Sequence, residues 1–167
     1  MGGNIIDYLG DFRTIIADLA TLKSLLNSTI STPGLRFMTT YIINFHLNTK
    51  LYLYEYMRLA LELLPEWIIL QYNLQDIGQE GYVNLEICKG FYGLSQSGVV
   101  ANKRITKHLS TFGYSPTPHN PGLCRHQTRP IAFTLFVDDS RVKYVVRQHV
   151  KHLVAALAAL YPLNTDR

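Results

Sequence analysis

A chain of 167 residues, 47% of them apolar and 17% charged, is able to bury one sizeable core and is most economically a single domain over residues 1–167. Sixteen Lys and Arg against twelve Asp and Glu leave a charge of +4 and a pI near 9.1, a balance that suits a phosphate backbone and also an ordinary solubility charge. The same composition argues against a disulfide scaffold, because Cys88 and Cys124 lack CxxC spacing, and against zinc, because His149 and His152 have no Cys or acidic neighbours to complete four ligands. The longest apolar run, residues 153–163, has 11 residues, well short of the ~20 that span a bilayer. Met1 to Ile6 lacks a basic n-region, and Ile6 does not match the Ser or Thr of a myristoylation signal, so an intracellular, unsecreted chain without membrane partners is expected.

Taken in chain order, Asp18 is placed to cap a helix with Leu19, Leu22 and Leu26 on one face, ending near Asn27. Ser31, Thr32, Pro33 and Gly34 make a turn by composition, and residues 35–42 follow as a strand. Alternation predicts strands over 54–59 and 82–87, with a short helix between them that Pro65 starts and Tyr72 ends. Residues 98–112 read as an amphipathic helix with Val100, Ile105, Leu109 and Phe112 on or near one side and Gly113 placed to stop it. Its opposite side carries Lys103, Arg104, Lys107 and His108, a solvated face or a surface that steers nucleic acid. The apolar run 131–137 and the segment 142–146 form the two strands of a hairpin, and a helix over 147–160 follows until Pro162 prevents its continuation. The result is an α+β chain without repeats or linkers. Its eleven tyrosines are expected mainly in the core or on strand faces, with stacking on unpaired bases as their other use.

The hairpin carries the chemistry. An apolar strand that ends in Asp138 and Asp139 places two carboxylates at a turn, where they are either solvated or able to hold a divalent cation through hard oxygen ligands.

Ahead of it, Lys89-Gly-Phe-Tyr-Gly-Leu-Ser-Gln-Ser-Gly98 resembles the Tyr-Gly-Leu-x-Gln-[Ser/Ala] signature of Ty1/copia-type reverse transcriptases. Phe136-Val-Asp-Asp139 is similar to that family's second catalytic block, and segments 17–27, 37–39, 54–58, 119–123 and 129–131 look like retroelement polymerase sequence in the expected order. The likeness covers about Asp7 to Tyr161. It implies a polymerase palm, an antiparallel sheet with helices packed on one face, together with partial fingers and with the thumb missing. It also implies magnesium at Asp138 and Asp139, RNA or DNA primer-template and deoxynucleotides as ligands, and other parts of a retroelement polyprotein as partners. By the same resemblance Leu94, Ser95 and Gln96 would lie against the incoming nucleotide.

One block is broken. Where the family ends a Phe-Met-Thr strand in a catalytic Asp, this chain reads Phe37-Met-Thr-Thr-Tyr41-Ile-Ile-Asn44-Phe-His46. Tyr41 takes the first acidic position, Asn44 the second, and His46 that of the aromatic residue under the nucleotide sugar. A phenol with a pKa of about 10 stays neutral near pH 7 and does not replace a bridging carboxylate in two-metal nucleotidyl transfer. The expectation is a catalytically dead polymerase fragment with weak or absent magnesium binding. The alternative is a nucleic-acid-binding or protein-interaction remnant without chemistry. Ser140 and Arg141 replace the family's Phe-Gly, and Arg141 is expected either to distort the turn or to pair with one of the aspartates.

Overall fold

The computed structural model describes residues 13–166, so the targeting signals read from residues 1–6 lie outside the described residues. Helix α1 (Leu19–Ile30) starts where a cap is available: the Thr21 N–H donates to Asp18 Oδ1 at 2.6 Å, satisfying one of the orphan donors of the first turn. Strand β1 (Arg36–Ile42) follows the turn at Gly34, whose φ of +79° suits glycine. The chain then makes strand β2 (Lys50–Ala60), a 3₁₀ turn at Leu61–Leu63, and the short helices α2 (Glu66–Gln71) and α3 (Leu74–Ile77). Strand β3 (Tyr82–Lys89) pairs antiparallel with β2 as a two-stranded unit whose register shifts between Lys50 and Glu55. Helix α4 (Ser95–Ser110) leads to β4 (Tyr114–Thr117), β5 (Asn120–His126), β6 (Ile131–Phe136) and β7 (Asp139–Tyr144). Helix α5 (Arg147–Ala158) and strand β8 (Leu163–Asp166) complete the described chain.

Six strands form one antiparallel sheet in the order β4-β5-β6-β7-β1-β8. Its inner face presents Met38, Ile42, Phe133, Leu135, Val142 and Tyr144 to Ala101, Ile105 and Leu109 of α4 and to Val150, Leu153 and Leu157 of α5. Phe133, Ile105 and Leu153 are fully buried, and each such side chain contributes about 1.5–3 kcal/mol by leaving water.

The expectation of helices on one face needs correction, because α1 covers the other. Ala17, Leu19 and Leu22 wall a cavity of about 280 Å³ with Thr134, Phe136, Asp139 and Arg141, and Lys143 Nζ donates to Ser28 Oγ at 2.5 Å. The physical reason is β6: Ala132 and Thr134 are buried as well as Ile131, Phe133 and Leu135, and a strand apolar on both sides needs cover on both sides. Gly122 permits the approach of the segment before α1, since a Cβ there would lie 2.3 Å from the Ala17 nitrogen.

Candidate functional site

The hairpin tip is tighter than the sequence suggests. Phe136 and Asp139 are opposed in the β6–β7 ladder, so Val137 and Asp138 alone make the turn and Asp139 already belongs to β7. Val137 adopts a φ of 53°, a left-handed conformation that is uncommon for a β-branched residue and costs about 1–3 kcal/mol. Arg141 therefore does not sit in the turn and bears no left-handed strain there. It pairs with Asp139 instead, Nη2 to Oδ2 at 3.5 Å, a partly exposed contact worth about 0–1 kcal/mol.

Register brings the third position in. Tyr41 of β1 lies directly opposite Asp139 of β7, on the same face of the sheet, and the Ile42 N–H donates to the Asp138 carbonyl at 2.7 Å. The Tyr41 phenol lies in the field of the Asp138 carboxylate, and its pKa is raised, first by the Asp138 charge, then by desolvation, with smaller contributions from Tyr92 and Asp139. Each of these disfavours phenolate, so Tyr41 remains a neutral proton donor.

That donor set does not fit a two-metal cage. Two-metal transfer wants near-octahedral oxygen ligands and a bridging carboxylate, whereas here a neutral phenol stands opposite Asp139 and a guanidinium pairs with that same aspartate. Among the described residues, no group of three or more His, Cys, Asp or Glu side chains is arranged to hold a metal ion.

His46 lies nearby with its ring edge-on to Phe45 at 5.4 Å and to Tyr92 at 5.2 Å between centroids, and its Nδ1 is buried without a partner. Gly90 allows this approach, because a Cβ there would come within 2.6 Å of the His46 carbonyl. Leu94 is the cap residue of α4, while Ser95 and Gln96 are its first helical residues, three positions earlier than the expected start at Gly98. Gln96 is only 3% exposed and its Nε2 donates to Glu55 Oε1 at 2.5 Å. The amide expected to meet a nucleotide thus meets a β2 carboxylate, to which a buried donor is drawn.

The basic residues form a separate place. Lys103, Arg104 and Lys107 line a groove of about 760 Å³ together with Lys50, Tyr52 and Lys89, beside a helix that lies on the sheet face opposite Tyr41 and Asp139. Arg104 is held there, donating to the Asn48 carbonyl with its guanidinium carbon 5.5 Å from the Tyr161 ring centroid.

The structure therefore unites Tyr41, Asp138 and Asp139, packs His46 against Tyr92, bonds Gln96 to Glu55, and gathers the basic helix face into a groove of its own. Residue-by-residue reading missed Tyr92, although it is the Tyr of the Tyr-Gly-Leu signature, missed Lys89 at the start of that segment, and missed Lys50 and Tyr52, which have no motif. Tyr52, Tyr54 and Tyr56 are strand residues of β2, in line with the expectation of core or strand-face tyrosines, and their side chains are exposed.

No protein-family model, curated protein or solved structure matches the chain. No helix among the described residues is long and apolar enough to cross a membrane.

Proposed function

We propose that the chain is a palm with partial fingers from a Ty1/copia-type reverse transcriptase and that it does not transfer nucleotides. The observation that carries the proposal is the opposition of Tyr41 to Asp139, with the Asp138 carbonyl bonded to Ile42. A strand and a neighbouring hairpin keep the juxtaposition that the sequence likeness implies, and a phenol occupies the position where a carboxylate is needed. In this reading the six-stranded sheet is the palm and the β2–β3 unit belongs to the fingers. Primer-template, deoxynucleotides and magnesium are ancestral ligands of an intracellular polyprotein segment. The second reading, a nucleic-acid-binding remnant without chemistry, is favoured by the cationic groove beside α4.

Primer extension on an RNA template tests the proposal. The purified chain is expected to give no incorporation with either magnesium or manganese. Metal-dependent extension by the parent that disappears in Asp138→Asn would overturn it.

A further inference from the structure

We infer that the groove between α4 and the base of the β2–β3 unit binds single-stranded nucleic acid, at a place independent of the Tyr41–Asp138–Asp139 corner. The assignment deepens the nucleic-acid-binding reading and needs nothing from the polymerase ancestry. Five cations converge on the groove from three elements: Lys50 from β2, Lys89 from β3, and Lys103, Arg104 and Lys107 from α4. No carboxylate lines it, and among the described residues no ion pair engages any of the five.

A solvated helix face explains the three cations of α4 but not the other two. Lys50 and Lys89 are directly opposed across the end of the β2–β3 ladder, where like charges destabilise an antiparallel pair. Both then face a third set of positive charges. Such convergence raises the local potential and favours a polyanion that neutralises it. Arg104 is already ordered by the Asn48 carbonyl and Tyr161, so less side-chain freedom is lost when it meets a phosphate.

The choice of one strand over a duplex comes from Tyr52 and from size. Tyr52 lines the groove and is 86% exposed, leaving a ring face free for an unpaired base, and cationic tracks with accessible aromatics are the recurring way to hold single strands. A volume of about 760 Å³ is of the order of small-ligand sites, enough for a short stretch of one strand, whereas a duplex would reach only the rim.

Fluorescence anisotropy with a labelled oligouridylate in EDTA tests the site without metal chemistry. If all five cations engage phosphates, log K should fall against log salt with a slope of about −3.5, at about −0.7 per contact. K103E/K107E should weaken binding at least tenfold at low salt and make the slope shallower by about 1.4. K23E/K151E changes the net charge identically at two exposed positions outside the groove and should cost much less. Tyr52→Ala should lose roughly 5- to 100-fold for the single strand while leaving the slope unchanged. Circular dichroism melts of each variant, matching the parent, establish that folding is intact.

Equal losses in the two charge variants would overturn the site, as would tighter binding of a duplex of the same sequence or equal displacement by polyglutamate tested against polyuridylate. Because the assay contains no metal and reads no extension, an active polymerase in the primer-extension test leaves its outcome untouched, and a null result here leaves the Tyr41 corner untouched.

Discussion

Replacing Tyr41 with Asp puts a carboxylate directly opposite Asp139, and its effect on stability follows from its neighbours at that corner. The substitution places a third carboxylate beside Asp138 and Asp139, and at the dielectric of bulk water each like-charge neighbour ~4 Å away costs about 1 kcal/mol. The sum is about 2 kcal/mol, which in a domain of this size lowers the melting temperature by about 4–8 °C. Magnesium at ten times its dissociation constant returns about 1.4 kcal/mol, or about 3–6 °C. The parent, which has a neutral phenol at position 41 and Arg141 facing Asp139, should move by less than about 1 °C. Thermal unfolding of both proteins in EDTA and in magnesium, with ionic strength matched by sodium chloride, measures each quantity. Equal magnesium shifts in parent and variant, or a variant as stable as the parent in EDTA, would show that residue 41 does not share a charge site with the aspartates. Primer extension by the variant is expected to stay undetectable, since Arg141 still faces Asp139.

Thr40 and Ser140 are opposed across β1 and β7 with both hydroxyls buried and unpartnered, so Thr40→Val should stabilise by about 1 kcal/mol in urea unfolding; a comparable loss would mean that the hydroxyl has a bound partner. His126 and His152 are held below the usual histidine range, by desolvation first and then by Arg129, so the native state binds fewer protons than the unfolded chain as pH falls below about 6.5. Their contribution is present above that value and lost below it: the parent should lose more melting temperature between about pH 7 and pH 5 than His126→Gln/His152→Gln, and parallel profiles would refute the assignment. Burial pushes the Cys124 thiol up to about 12, while Cys88 is exposed, so Ellman's reagent should titrate one thiol in the native protein and two in denaturant. Two reactive thiols before unfolding would show that the sheet opens around Cys124.

Local chemistry carried much of the fold. A capping Asp18, the apolar spacing of α1, α4 and α5 and the continuous apolar run of β6 are each written in a few neighbouring residues, and each element forms there, although α4 starts three residues earlier than predicted and α1 ends three residues later. So is the identity of the corner, because Tyr41 and the Asp138-Asp139 pair are recognisable as residue types at the ends of strands. Strands β4, β5 and β8 were not legible, since Pro116, Pro121 and Gly122 break the alternation and the three strands exist through their ladder partners. Nor was the length of the turn: whether Arg141 sits in a loop or in a ladder depends on Asp139 pairing with Phe136 and Tyr41. The position of α1 on the second face, the capture of Gln96 by Glu55 and the meeting of Lys50 and Lys89 with the cations of α4 join segments far apart in the chain. Periodicity reports which face of an element is apolar, but the partner of that face is selected by burial and register summed over the whole sheet.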